Sequence, residues 1–408
     1  MEDNESPIDF PTEIVQEGEV QVIVPQLSAF VKSPSEYAPS KAPVFYNPVM
    51  ELNRDIAVLA LQAYQKSVNR EISVCEPLAS GGIRGIRFAT EVEGVKSMVI
   101  NDLNPKAFHL AQQNVHMNKL GEVVSVRNED ANFLLASYGA PHGRFDAVDL
   151  DPFGSPVPYV DSAIRSLRSG SLLVLTATDM GPLCGVHSKA CIRKYGGTPL
   201  HTEYCKELAV RLLAGSLAMT AAQYDMGVKM VFSHSTDHYI RVYAILKHGA
   251  KRANKNIKSM GYVLHCFQCL HREAYEGLFV VRHPMRCSEC GSKMRIAGPL
   301  WLGKLSDENF CGLMEDVVAE KPLRLGWKIR KLLNLVKHES SSPITYYVLD
   351  KISEKMGLPA PSLEEVIKKL SIQGMNTIRT SFDTLGIKTE APLSMIKEAV
   401  QHPSINLK

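Results

Sequence analysis

The chain has 408 residues, 45% of them hydrophobic, and 46 Lys and Arg against 43 Asp and Glu leave a formal charge of +3. That is enough material for more than one core, and so even a balance excludes a globally basic nucleic-acid coat, so any phosphate-binding surface must be local. No apolar run approaches membrane-spanning length and the start, Met1-Glu2-Asp3-Asn4-Glu5-Ser6, is acidic rather than signal-like, so a soluble cytoplasmic protein is expected, with no membrane and no protein partner implied.

Residues 1–40 read as an N-terminal extension: a polar start, the strand-like Glu19-Val20-Gln21-Val22-Ile23-Val24, and a Pro/Ser-rich stretch that leads into Phe45. Strands then alternate with helices. Ile72 to Glu76 runs into Pro77-Leu78-Ala79-Ser80-Gly81-Gly82-Ile83-Arg84-Gly85, where glycines let a backbone approach a ligand and the next helix opens with free N–H groups. The G-x-G-x-x-G spacing of dinucleotide sites is missing, and Glu76 would repel a diphosphate. A cofactor with an amino-acid end fits better.

A second strand, Val95 to Asn101, ends at Asp102, about 20 residues after the loop, where ribose hydroxyls are held. Asn104-Pro105 starts a helix through Ala107, Leu110, Ala111, Asn114 and Val115. Val123 to Val126 leads to Asp130-Ala131, an acid placed to accept from an adenine amino group. Arg144 to Leu150 then delivers Asp149-Leu150-Asp151-Pro152-Phe153-Gly154, and Gly170 to Thr176 makes the strand after it. Acids at four successive strand ends (Glu76, Asp102, Asp130 and Asp151) mark a doubly wound α/β sheet with its ligands at the carboxyl edge. Alone, Asp-Pro-Phe-Gly is ordinary turn chemistry. In this set it suits methylation of an exocyclic amine: Asp151 and the Pro152 carbonyl accept its protons while Phe153 stacks on the ring.

Further along, Cys205 to Gln223 reads as an apolar helix, with late strands at Met230 to Ser233 and Ile240 to Leu246. Cys266-x2-Cys269 and Cys287-x2-Cys290, separated by 17 residues, have the spacing of a four-thiolate structural zinc site. A redox pair or buried free cysteines are the alternatives, disfavoured by the absence of a thioredoxin-like unit and by the spacing. Two basic clusters, Lys247 to Lys258 and Arg324 to Lys331, offer phosphate contacts or simply solvated faces. Ser362-Leu363-Glu364-Glu365 reads as a capping box opening a helix.

With these residues in view, the chain resembles class I S-adenosylmethionine-dependent methyltransferases, and among them the tRNA (guanine(26)-N(2))-dimethyltransferase family. The resemblance is carried by Phe45-Tyr46-Asn47-Pro48, Asn53-Arg54-Asp55, Ala79 to Arg87, Asn101-Asp102-Leu103-Asn104, the Asp-Pro-Phe-Gly turn, Thr178-Asp179-Met180, Cys184-Gly185, Tyr195-Gly196-Gly197, Ser235 to Arg241 and Gly386-Ile387-Lys388-Thr389. It implies that Arg54, Arg87, Asp102, Asp130 and Ala131 contact the cofactor, and that Phe45 and Phe153 frame the target base beside Asp151. One departure is Ser381, where the family leads us to expect histidine.

The resulting expectation is a Rossmann-like methyltransferase domain at 41–255, followed by a smaller α+β tRNA-binding domain at 256–408. The latter holds a zinc segment at 262–295 and a winged-helix-like tail at 340–408. The expected activity is dimethylation of guanine 26 of tRNA. Rival readings are N2-guanine or N6-adenine methylation elsewhere in RNA, and a non-catalytic RNA-binding protein.

Overall fold

Valines alternate at 20, 22 and 24, and all three are buried, so the N-terminal segment folds as an antiparallel hairpin of β1 (Thr12–Glu17) and β2 (Val20–Pro25) turning at Gly18, φ +56°. The computed structural model describes residues 8–31, 39–139, 143–278 and 284–402; the acidic start, residues 1–7, and the Pro/Ser-rich stretch within 32–38 lie outside the described residues. The chain divides into two compact units, the first of residues 1–152, 158–175 and 312–331, the second of 153–157, 176–311 and 332–408. Each unit is assembled from segments that are not consecutive in the chain.

In the first unit, α1 (Glu51–Val68) is buried without a break from Asn53 to Tyr64. The alternation that follows is β3 (Ile72–Glu76), α2 (Ile83–Glu91), β4 (Val95–Asn101), α3 (Pro105–Met117), β5 (Val124–Arg127), α4 (Ala131–Ser137), β6 (Phe145–Leu150), α5 (Val157–Ser166) and β7 (Leu167–Ala177). The parallel strands lie in the order β5-β4-β3-β6-β7. All of β6 is buried, as expected of a strand covered by helices on both faces. Strand order reverses between β3 and β6, which opens a crevice at their carboxyl ends.

The second unit carries α6 (Met180–Leu183), α7 (Ser188–Tyr195), α8 (Cys205–Ala222), the antiparallel hairpin β8 (Met226–Thr236) and β9 (Tyr239–His248), and α9 (Ala250–Lys258). Strand β8 runs well beyond the expected Met230 to Ser233, because a register shift between Met230 and Phe232 interrupts the alternation that would reveal its length. A three-stranded sheet follows from β10 (Met260–His265), β11 (Arg272–Glu276) and β12 (Arg295–Trp301), with β10 central. Helix α10 (Glu308–Glu320) falls mostly, and α11 (Gly326–Glu339) in its first turns, among the first unit's residues 312–331; the tail after them holds β13 (Tyr347–Val348), α12 (Leu349–Met356), α13 (Leu363–Ile372), β14 (Thr377–Arg379), β15 (Gly386–Thr389) and α14 (Leu393–Gln401). The tail packs around its own core of Ile352, Val366, Leu370, Ile387 and Ile396. Helix α13 opens at Ser362 as expected, but the capping box does not form: the Ser362 hydroxyl donates to Glu364 Oε2 at 3.2 Å and makes no bond to a backbone N–H. Among the described residues, no helix is long and apolar enough to cross a membrane.

Candidate active site

Apolar strands β3 and β6 bring three carboxylates to the crevice where strand order reverses. One guanidinium meets all three. Arg84, on the first turn of α2, places Nη1 3.1 Å from Glu76 Oε1 and 3.7 Å from Asp149 Oδ1, and its Nη2 pairs with Asp151 and donates to Asn53 Oδ1 at 2.9 Å. Glu76 also accepts from the Gly85 N–H at 2.8 Å, so the acid ahead of the glycine loop binds the loop's own backbone. Burial pushes the Glu76 carboxyl up to about 8; Arg84 pulls it down, and Asp149 and Asp151 push it further up. Asp151 keeps 16% side-chain exposure, so of the three it is the one open to a ligand, against 3% for each of the others.

The turn after Asp151 is held from further along the chain. Gly154, at φ +80°, donates to Thr178 Oγ1 at 2.7 Å and accepts from the Thr178 N–H at 2.9 Å. Asp179 beside it accepts from the Tyr195 hydroxyl at 2.5 Å and pairs with Lys194 at 2.9 Å. Segments quoted separately from the sequence therefore form one support. Pro152 is buried, and the Phe153 ring is 73% exposed.

Phe45 is half-buried and pinned to the glycine loop: Ser80, held at φ +51°, donates its hydroxyl to the Phe45 carbonyl at 2.7 Å, and Asn104 Nδ2 donates to Pro43 O at 2.9 Å. Asp102 accepts from the Ser80 N–H at 2.7 Å and the Asn104 N–H at 2.9 Å, which fixes its carboxylate at the end of β4. Asp130 caps α4 through Oδ1, accepting from the Asn132 and Phe133 N–H groups, and Ala131 behind it is buried. The fully buried Asn101, singled out in the sequence beside Asp102 but without a role, ties these ends together by donating to Pro77 O and Glu129 O and accepting from Glu129 N–H.

Arg54 and Arg87, which the resemblance implies contact the cofactor, are paired here with protein carboxylates. Glu17 of β1 receives Arg54 through Nε at 2.5 Å and Nη2 at 2.7 Å. Arg87 is fully buried, with Glu91 at 2.7 Å, Asp55 at 2.7 Å and Glu17 at 3.1 Å from its guanidinium. Direct ligand contact by Arg87 does not fit this geometry, since three acids enclose it. Arg54 retains 7% exposure and also donates to Asn47 O at 3.2 Å, next to the Phe45 segment.

In the second unit, Cys266, Cys269, Cys287 and Cys290 bring their sulfurs within 4.8 Å of one another, with Cys266 to Cys290 and Cys269 to Cys287 each 3.5 Å apart. Knuckle bonds shape each pair: Leu270 N–H to Cys266 O at 2.8 Å with Leu270 at φ +69°, and Gly291 N–H to Cys287 O at 2.9 Å with Gly291 at φ +71°. Sulfurs about 2.3 Å from one ion stand roughly 3.8 Å from each other, so the cluster fits a tetrahedral zinc. The basic clusters are exposed at Lys251, Arg252 and Lys255 on α9, and at Lys328, Arg330 and Lys331 on α11. Ser381, the departure noted above, donates its N–H and hydroxyl to Glu339 at 2.8 and 2.6 Å.

A sheet with a switch point, four acids at its carboxyl edge and an exposed aromatic after Asp-Pro is the arrangement against which known proteins compare. Residues 18–401 match the N2,N2-dimethylguanosine tRNA methyltransferase family. The chain belongs to this family. It is 42% identical over 386 residues to the tRNA (guanine(26)-N(2))-dimethyltransferase of Methanothermobacter thermautotrophicus, covering 95% of this chain and 98% of that one. It is 36% identical to the tRNA (guanine(26)-N(2)/guanine(27)-N(2))-dimethyltransferase of Aquifex aeolicus, covering 95% and 96%. A solved complex of Trm1 from Pyrococcus horikoshii with S-adenosyl-L-methionine superimposes with a TM-score of 0.83 at 33% identity, over 95% of this chain and 99% of that one.

Proposed function

We propose that this family member dimethylates the exocyclic N2 of guanine 26 in tRNA, with S-adenosylmethionine as methyl donor. The observation that carries the reading is Asp151, partly open, at the switch point of a chain that matches guanine-26 dimethyltransferases over nearly its full length. In this reading Asp151 and the Pro152 carbonyl accept the amine protons, and Phe45 and Phe153 hold the ring. Asp102, Asp130 and Ala131 line the cofactor side, Arg54 approaches it beside Asn47, and Arg87 positions Arg54 through their shared partner Glu17. The bound cofactor supplies an electrophilic methyl; the residues orient the amine in line and take up its proton.

Zinc bound by Cys266, Cys269, Cys287 and Cys290 is assigned a structural role, because four thiolates leave no open position. The same proposal assigns methyl transfer to residues 41–255 and tRNA grip to 256–408, with a zinc segment at 262–295 and a winged-helix-like tail at 340–408, and sets the enzyme in the cytoplasm with its substrate. Nucleoside mass spectrometry tests it: unmodified tRNA should yield dimethylguanosine and a transcript with adenine at position 26 none. Product at guanine 27 would place the enzyme with its Aquifex aeolicus relative. No methylated guanine from protein that binds the cofactor would refute the tRNA reading.

A further inference from the structure

The sequence holds two tryptophans, and the structure treats them oppositely. Trp301 is 5% exposed and its indole N–H donates to Lys304 O at 3.0 Å, whereas Trp327, on the first turn of α11, is 66% exposed. Burying an indole is among the larger apolar gains open to a folding chain, and this one stays in water. Residues 324–338 contain no Asp or Glu; Lys328, Arg330 and Lys331 follow Trp327 on the same helix and are exposed, with Lys328 Nζ 5.5 Å from the ring centroid and Arg330 Nη2 donating to Val318 O at 3.3 Å. Ile329, on the opposite side of the helix, is fully buried and anchors the exposed face.

The segment is also fixed near the residues that would receive the base. Arg324, three residues earlier, forks onto Glu51 with Nε to Oε1 at 3.2 Å, and Lys321 donates to Glu91 O at 2.6 Å. Glu51 opens α1, separated from the Phe45-Tyr46-Asn47 segment by the single turn Pro48–Met50, and Glu91 ends α2. A flat π face followed by exposed cations on the same helix matches an unpaired nucleotide: the base stacks, and its phosphates meet the lysines and arginine.

We propose that Trp327, flanked by Lys328, Arg330 and Lys331, is a stacking platform for an unpaired base of the tRNA substrate, at a contact separate from the methyl-transfer residues. The proposal rests on the tRNA reading above. Trp327 is its own probe: acrylamide, being neutral, quenches an exposed indole without being repelled by RNA, and excited-state lifetimes are insensitive to absorption by nucleic acid. Free enzyme should show one strongly quenched and one protected tryptophan, with the quenched component absent from Trp327→Phe. Saturating unmodified tRNA should protect it. Binding of labelled tRNA, followed by anisotropy, should weaken about tenfold in Trp327→Ala and much less in Trp327→Phe. Bound tRNA with Trp327 still fully quenched would overturn the platform while leaving the tRNA reading intact. Protection that grows with protein concentration in the absence of RNA would assign the surface to a second copy of the chain and also overturn it. Absence of any tRNA binding would refute the tRNA reading itself.

Discussion

Arg84 pairs with Asp151, the carboxylate proposed to accept the substrate proton, and the same guanidinium lies 3.1 Å from Glu76 and 3.7 Å from Asp149. One cation therefore orients the reactive acid and offsets two buried ones. Arg84→Met would leave these carboxylates facing one another, and loss of one partner from a buried pair costs about 3–5 kcal/mol. Urea denaturation should show a loss of that order. Arg84→Lys keeps the charge but cannot span the same partners, so it should retain more stability and still lower kcat, with the Kd for tRNA little changed. Unchanged kcat in Arg84→Lys would separate Arg84 from the chemistry.

Asp151→Asn removes the proton acceptor while nearly preserving shape. Methyl transfer should fall by about 10²–10⁴-fold, the usual contribution of a positioned acid-base group, while S-adenosylmethionine affinity by calorimetry changes little. Retained turnover would remove Asp151 from the mechanism.

Glu76 gives a pH dependence with a definite sign. Its folded carboxyl is raised from 4.5 to about 8 by burial, with Asp149 and Asp151 adding to the rise against Arg84. The folded state thus holds this proton more tightly than the unfolded chain, so the stability linked to it is fully present below about 4.5 and is lost as pH rises toward 8. The ligand-free enzyme should lose Tm across that window. Glu76→Gln, which mimics the protonated form, should flatten the profile; an equal slope in the variant would trace the loss elsewhere.

The four-cysteine cluster should hold one zinc per chain by metal analysis. Cys287→Ser should lose it and lower Tm by more than about 5 °C. Purified wild-type protein free of zinc would rule out the structural-ion role.

What could be read from the sequence follows physical reach. Glu76, Asp102, Asp130 and Asp151 were legible because each closes an apolar strand and the strand–helix alternation places strand ends on one edge. The clustering of the four cysteines was legible because C-x2-C spacing is itself geometry. Arg84 was not: Ile83-Arg84-Gly85-Ile86-Arg87 offers two arginines three residues apart, and only the folded helix sends Arg84 toward Asp151 and Arg87 toward Glu17, Asp55 and Glu91. The excess of acids on β3 and β6 was the available signal that a cation must lie between them. Trp327 was hidden for a similar reason, since a ring among lysines reads equally as core or surface until Ile329 is seen to take the buried side.

Glu17 reshapes where a working fragment of this protein can begin. Residues ahead of Phe45 look disposable by composition, yet Glu17 supplies the shared carboxylate for Arg54 and Arg87, and Gly18 leaves room for Arg87 and Glu91 beside the hairpin turn. A shortened gene starting near residue 40 would take away the Glu17 carboxylate that Arg54 pairs with and leave Arg87 two of its three acids, so crystallisation or fusion designs should keep the chain from β1 onward.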